Sequence, residues 1–514
     1  MPEFDFLASL PAISVEIGLT ILAIVLVFLE SYLSKENRRN IAYVAAVSLA
    51  FLAAAPVIWS PTAETSGLYW GGMVRYDAFG SIFKMMILLA ASLVTLMAID
   101  DKGVHRKTEF HLVIVVASLG ASLLVSAADL IMLFVALETL SVPLYILAAY
   151  NRTDRESAES GIKYFLFGSF ASALLLYGFS LLYGFTSTTS LDGIAAALSQ
   201  GGDLVAVLVA LVLVIAGFGF KISAVPFHFW TPDVYQGAPT PVTGFLSVAS
   251  KAASFAVLVR FLNAVFPGTV IVDGQSIQQF WVAFVSVAAV ASMTFGNILA
   301  LRQSNIKRML AYSSIAQAGY TLIGVAALQG GTTLDQGVNL GVALGISSVA
   351  FYMFMYTFSN LLIFAGIVVV TEHVGSEDLS DYAGLQRRNP WLALAMAIGI
   401  LSLAGIPPAA GFFGKFFLFQ AAVESNLTAL AIIGVLNAII ALYYYLVVIK
   451  IMYVDKGPDD DKPFTISTPY AWALGVASVV VLLLGTFAVT PIITWAREGA
   501  NALAQAAATI VAGL

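Results

Sequence analysis

Five ionisable side chains stand where an apolar chain has the least reason to keep them. Glu138 falls near the midpoint of the run ADLIMLFVALETLSVPLYILAAY, and Lys221 follows a Gly217-Phe-Gly219 break inside another apolar run. His228 follows Pro226 at the mouth of that run, Lys251 sits near the middle of the next, and Lys415 follows the interrupted stretch Gly405-Ile-Pro-Pro-Ala-Ala-Gly411. A charge at the centre of a membrane helix costs about 2.5–3.5 kcal/mol on insertion scales, so such groups are functional candidates by default. Burial favours the neutral form of both amines and carboxylates, whereas a close opposite charge favours the charged forms. A buried lysine whose carboxylate partner withdraws is therefore pushed towards releasing its proton, which is the physical requirement of a proton relay. The breaks beside Lys221 and Lys415 fit this chemistry, because non-helical backbone at membrane depth is tolerated only inside protein or against a water-filled cavity.

Blander readings stand beside this one. Glu138 and Lys221 could form a structural ion pair, although such pairs contribute little net stability. Lys251 could snorkel, but about ten residues separate it from either end of its run. Lys415 could be held by carbonyls at a helix end made by Pro407-Pro408. His228 could pass protons or only cap an irregular turn. Lys84, under two turns from the end of its run, is expected to snorkel, and His105, His111, Glu372 and His373 are expected to be solvated at loop edges.

The elements that must position these groups are membrane helices. The chain has 514 residues, 60% hydrophobic and 11% charged, against about 25% charged in an average soluble domain. The fold class expected is all-α, a polytopic membrane protein, since about 20 apolar residues cross a bilayer and roughly fourteen such spans can be placed. They lie near 13–30, 41–59, 78–99, 110–127, 129–149, 163–184, 204–226, 240–262, 279–300, 308–328, 342–371, 391–422, 428–453 and 469–493. Residues 191–198 could form a short interfacial helix. This count puts 17 of the 24 Lys and Arg in alternate connections on one side, with only Arg75, Arg260 and Arg497 on the other. The positive-inside rule then places both termini away from the cytoplasm. The seventh and twelfth spans, each interrupted and followed by a lysine, run in opposite directions, which is the sequence pointer to inverted repeats.

Several chemistries are excluded. There are no cysteines, hence no disulfides, no cysteine-ligated iron-sulfur cluster and no thiol catalysis in this chain. GFGF lacks the strand and acidic partner of a dinucleotide fingerprint, no P-loop is present, and no paired mid-span histidines offer haem ligands. The net charge of -6 is spread along the loops, so nothing points to nucleic acid. Moving a proton against 100 mV takes about 2.3 kcal/mol, which must come from an ion gradient or a partner.

The motifs LETLSVPLYILAAY, KYFLFGSFASALLLYG, FKISAVPFHFWTPDVYQGAPTPVTGFLSVASK, NIKRMLAYSSIAQAGYTLIG and LAGIPPAAGFFGKFFLF resemble the antiporter-like membrane subunits of respiratory complex I, most of all the N-subunit family of the bacterial NADH:quinone oxidoreductase. The likeness covers about residues 75 to 455. It implies helices 1–3 over 1–109, one five-helix repeat over 110–262, an inverted repeat over 279–453, and a last helix and tail over 454–514, with helices 7 and 12 discontinuous. It also implies Glu138 as the carboxylate paired with Lys221, Lys251 as the central lysine and Lys415 as the lysine of the twelfth helix. The function implied is proton translocation coupled to quinone reduction, in the bacterial inner membrane, as a subunit with no redox centre of its own. NADH, FMN, iron-sulfur clusters and quinone would belong to partner subunits, and adjacent membrane subunits and lipid would be the contacts. The tenth and eleventh spans carry no charge at mid-depth, only polar groups such as Gln317, Tyr320, Ser347, Tyr352, Tyr356 and Asn360. The alternatives are a subunit of a multi-subunit sodium/proton antiporter, driven by a gradient, and an assembly subunit whose charges only orient helices.

Overall fold

The computed structural model describes residues 6–512 apart from 35–37, 63, 102, 105–107, 331–338 and 458–461; the expectation for His105 lies outside the described residues. The chain is helical almost throughout, with two short hairpins, Gly67–Tyr69 with Val74–Tyr76 and Ile271–Val272 with Gln275–Ser276. The helices that matter below are α1 Ser14–Tyr32, α2 Arg38–Leu52, α3 Ala78–Ala98, α4 Thr108–Ser126, α5 Leu130–Ala148, α6 Arg155–Thr186 and α7 Leu204–Lys221. Then come α8 Thr240–Val265, α9 Ile277–Ala300, α10 Ile306–Ala326 and α11 Leu340–Val374. The series ends with α12 Pro390–Ala404, α13 Ala410–Glu424, α14 Thr428–Tyr453, α15 Thr468–Leu484 and α16 Val489–Ala512.

Eleven helices among the described residues are long and apolar enough to cross a membrane, and the bent pair α15 and α16 makes a twelfth if taken as one span. Two of the expected spans fall outside that count. One is α10, whose sequence carries Lys307, Arg308, Gln317 and a run of hydroxyl residues, and the other is broken into α12 and α13. The sixth helix starts at Arg155, earlier than expected, because Asp154 caps it by accepting from the Glu156 amide at 3.0 Å. The seventh stops at Lys221 rather than near 226, where Ser223 takes a positive φ of 61° and Pro226 removes a donor. The last expected span stops at Leu484 and turns by 78° into α16, which lies against α3 and α11. A short helix is present where one was expected, at Leu191–Ser199, its Leu191, Ile194, Ala195 and Leu198 buried. A further short helix, Thr231–Gly237, occupies the connection that follows the seventh.

Packing without a hydrophobic drive between helices depends on close contact and hydrogen bonds. Gly296 on α9 and Gly319 on α10 let those helices meet backbone to backbone; a Cβ at Gly319 would lie 2.7 Å from the Met293 nitrogen. The apolar windows of α8 and α11 are entirely enclosed by other helices, while those of α1 and α14 are one third buried and form the rim. The centre of the bundle is thus screened from lipid by protein, and the buried lysine of α8 sits there.

Two charges depart from their expected places. Arg260, expected in a connection, is 1% exposed within α8; its two terminal nitrogens donate to both carboxylate oxygens of Asp77 at 2.7 and 3.0 Å, and its Nε to the Val125 carbonyl at 3.1 Å. Lys84, expected to snorkel, is 6% exposed and pairs with Glu16 at 2.8 Å. Snorkelling fails for Lys84 because Glu16 of α1 and the Ala12 carbonyl just before that helix take its amine at 2.8 and 3.4 Å. His111, expected to be solvated, is buried in the first turn of α4 against Phe110, whereas His373 is exposed, with its ring stacked on Phe464 at 4.3 Å. Breaking a buried ion pair by removing one partner costs about 3–5 kcal/mol, so Arg260→Met alone should lower the unfolding midpoint in detergent sharply. The double variant Asp77→Asn/Arg260→Met should recover part of that loss; equal midpoints for the wild type and the Arg260→Met variant would show that the pair contributes nothing.

Candidate functional site

The first group of site residues is built where α5 faces the end of α7. Lys221, the last residue of α7, donates from Nζ to the Ser141 hydroxyl at 2.6 Å and to the Tyr145 hydroxyl at 3.4 Å. Glu138 lies one turn before Ser141 on α5, and its Oε1 is buried with no hydrogen-bond partner among the described residues. No carboxylate lies within 4.0 Å of the Lys221 amine among the described residues, so Glu138 and Lys221 are charge neighbours across Ser141 and not a direct ion pair. Pro143 inside α5 leaves the helix without one backbone donor close to these hydroxyls.

The break after α7 is closed by side chains. The Trp230 indole donates to the Phe220 carbonyl at 3.0 Å and the Ser292 hydroxyl accepts from the Val225 amide at 2.9 Å, which satisfies backbone groups that cannot remain bare in a membrane. Tyr164 stacks on Trp230 at 4.6 Å and meets Tyr145 edge-on at 4.9 Å. His228 is half-buried in this turn, its Nδ1 covered and without a hydrogen-bond partner among the described residues. Beyond the turn, a polar cavity of about 200 Å³ is bordered by Glu159, Lys163, Asp233, Gln236 and Arg308. Asp233 takes Lys163 at 2.6 Å and Arg308 at 2.9 Å, and these two cations hold its carboxyl below the usual carboxylate range against the effect of burial.

The second group surrounds Lys251. A five-residue π-helical turn, Leu246–Ser250, ends at that lysine; such bulges are often found at functional sites. The Lys251 amine donates to the Ser314 hydroxyl at 2.5 Å and to the Ser314 carbonyl at 3.1 Å. The same hydroxyl meets Tyr356 at 2.8 Å and Tyr235 at 3.2 Å, and Asn360 joins Tyr356 at 3.3 Å to Ser247 at 2.6 Å.

The third group surrounds Lys415 on α13. Its amine donates to the carbonyls of Leu403 and Ala404, each at 3.0 Å, at the end of α12, and lies 4.9 Å from the centre of the Tyr320 ring. This is the charge-on-carbonyl arrangement expected at the negative end of a helix. The two halves meet tightly: a Cβ at Gly411 would lie 1.6 Å from the Ser402 carbonyl oxygen. Gln317, one turn after Ser314 on α10, donates to the same Leu403 carbonyl at 3.3 Å and to the Tyr445 hydroxyl at 3.0 Å, and accepts from Tyr352. Tyr445 in turn meets Ser313 at 2.5 Å.

Of the polar residues expected on the tenth and eleventh spans, Gln317, Tyr352, Tyr356 and Asn360 enter these networks, and Tyr320 is reached by Asn297 at 3.3 Å. Ser347 instead returns its hydroxyl to Ala343 and Leu344 of its own helix. Ser141, Tyr145, Tyr235, Ser314 and Tyr445 were not singled out by sequence. Helical spacing could have found some of them, since Ser141 and Tyr145 follow Glu138 at i+3 and i+7, and Ser314 precedes Gln317 by three. Among the described residues there is no group of three metal-ligating side chains.

Enclosed helices, two breaks and a succession of buried amines, each bonded to hydroxyl or carbonyl groups of another helix, define a polytopic helical membrane protein with an internal polar axis. The family model for the transmembrane proteins of NADH:quinone oxidoreductase and the Mrp antiporter matches residues 127–441. A Moorella thermoacetica protein named NADH-quinone oxidoreductase subunit N is 40% identical over 496 residues, covering 96% of this chain and 99% of the relative. The protein of the same name from Rhodospirillum rubrum is 38% identical over 500 residues, covering 96% and 97%. A chain in the structure of respiratory complex I from Thermus thermophilus with bound aureothin is 29% identical, with a TM-score of 0.75, covering 94% of this chain and all of that one. A chain of the Mrp complex from Dietzia, at 21% identity and a TM-score of 0.82, shares the fold. The chain belongs to the family of NADH-quinone oxidoreductase subunit N proteins.

Proposed function

We propose that this chain is a proton-translocating membrane subunit of an NADH:quinone oxidoreductase in the bacterial inner membrane, carrying protons on its own side chains while partner subunits carry NADH, FMN, iron-sulfur clusters and quinone. The observation that carries this reading is the placement of three amines, Lys221, Lys251 and Lys415, each within hydrogen-bond reach of a polar partner from a different helix or half-helix in the enclosed centre of the bundle. In this reading Glu138 sets the charge at Lys221, and Lys251 is the central carrier. Ser314 and Gln317, one turn apart on α10, span the interval from Lys251 to Lys415. His228 and the Lys163–Asp233–Arg308 cluster border the entrance at the end of the bundle that holds most basic residues, which the positive-inside rule assigns to the cytoplasm together with non-cytoplasmic termini. Residues 110–262 and 279–453 are then two inverted copies, with α7 and the α12–α13 pair as their interrupted helices.

The test is an assembled complex in sealed vesicles. NADH should acidify the lumen in everted vesicles, an uncoupler should abolish the signal, and a sodium gradient without NADH should move no protons. Proton movement driven by sodium alone would place the chain with the antiporters instead.

A further inference from the structure

Two buried charge pairs lie close together at the end of the bundle opposite the basic connections, and their chemistry differs. Asp77 has both oxygens occupied by Arg260 and also accepts from the Gly80 amide at 2.7 Å. Arginine is always charged, so this pair is saturated and cannot exchange a proton. Glu16 and Lys84 are each 7% exposed at the side chain and stand 2.8 Å apart. Ser122 of α4 donates to Glu16 Oε1 at 2.6 Å, while Oε2 is buried with no hydrogen-bond partner among the described residues. Lysine can give up its proton, and one acceptor position of the carboxylate is left over. Glu16 also lies in the first turn of α1, where the helix end favours its negative charge.

There is room for water beside Lys84 at the same end. A small cavity with about 10 Å³ of water-sized space is bordered by Lys84, Ser81, Ser126, Asp77 and Arg75. That is about the room needed by one water molecule. A second cavity of the same size shares Arg75 and adds Arg260 and Asp192, and Arg75 and Asp192 pair at 2.6 Å with 12% and 19% of their side chains exposed. Charge pairs and water-sized cavities thus alternate from Lys84 towards the surface.

We propose that Glu16 and Lys84, with Ser122, form a further proton-carrying site outside the axis of Lys221, Lys251 and Lys415, one that passes protons to water at the end opposite the basic connections. The inference rests on the proton-translocating reading above. In the step, a Lys84 N–H bond breaks and an O–H bond forms on the water of the cavity that Lys84 borders, leaving a neutral amine beside the Glu16 carboxylate. A proton from the inner side then forms an O–H bond on Glu16 and passes from it to the amine, which restores the ion pair.

The decisive variant is Lys84→Arg, which keeps the ion pair and cannot release a proton, measured as protons moved per electron in vesicles holding the whole complex. The expected loss equals that of Lys251→Met measured alongside, and the wild-type ratio would overturn the proposal. Glu16→Gln/Lys84→Met, which buries no unpaired charge, serves if the arginine variant does not assemble; it should show the same loss, and a wild-type ratio again overturns the proposal. If Lys251→Met itself pumps normally, the translocation reading falls. If Lys251→Met fails to pump while the Lys84 variants pump normally, only the present inference falls.

Discussion

Replacing Lys251 by alanine should abolish or strongly reduce proton pumping while the complex still assembles. Both halves of that expectation come from its surroundings. The amine has no carboxylate within 4.0 Å among the described residues, so its removal strands no opposite charge. Its partner, the Ser314 hydroxyl, keeps Tyr356 at 2.8 Å and Tyr235 at 3.2 Å. What is lost is, among the described residues of the Ser314 network, the one group that can hold a proton as a charge, because every other member is a hydroxyl, an amide or a carbonyl. A positioned proton-transfer group contributes about 10²–10⁴-fold to rate, and removing one from a series interrupts the whole series. Lys251→Met, which fills more of the vacated space, should assemble at least as well and pump no better. The measurement is acidification of vesicles per electron transferred, with assembly checked by NADH oxidation and by the complex's migration on a native gel. Wild-type stoichiometry in an assembled Lys251→Ala complex would leave the charges as helix-orienting groups only.

The bundle and the positions of its central amines were legible in the sequence because both follow from depth. An apolar run of about 20 residues fixes where a helix lies, and a lysine at its middle has nowhere to go but inward, as Lys251 shows. Partners were harder to read. The resemblance implied Glu138 as the carboxylate paired with Lys221, and in the structure a hydroxyl one turn away on the same helix, Ser141, takes the direct contact at 2.6 Å. Lys84 was expected to reach water because distance along its own helix was all the sequence showed. The carboxylate that captures it lies on α1, 68 residues away in the chain, and only the packing of α1 on α4 and of α4 on α3 brings Glu16 and Ser122 to it. Arg260 was misplaced for a related reason, since its counter-charge caps a different helix. The bend after Leu484 carried no proline at the turn to announce it; Gly485 sits there, and the contact that makes it informative, a Cβ position 2.0 Å from the Pro408 carbonyl oxygen, is tertiary.

Glu138→Gln should cost more turnover than Glu138→Asp, and the intervening Ser141 sharpens why. Lys221 already has two hydroxyl partners, at 2.6 and 3.4 Å, so its hydrogen bonds do not depend on Glu138. The carboxylate contributes charge, and its buried Oε1 holds no hydrogen bond among the described residues that an amide would preserve. Glutamine keeps the shape and removes the charge, leaving the Lys221 ammonium enclosed with neutral partners; an uncompensated buried charge costs about 3–5 kcal/mol. Aspartate keeps the charge and withdraws it by one methylene, which weakens the attraction without abolishing it. NADH-driven quinone reduction and acidification by the two assembled variants should therefore fall in the order wild type, Asp, Gln, with the larger step at Gln. Equal rates for the two variants would mean that Glu138 acts by packing, and a Gln variant better than the Asp variant would mean that its shape, not its charge, positions Lys221.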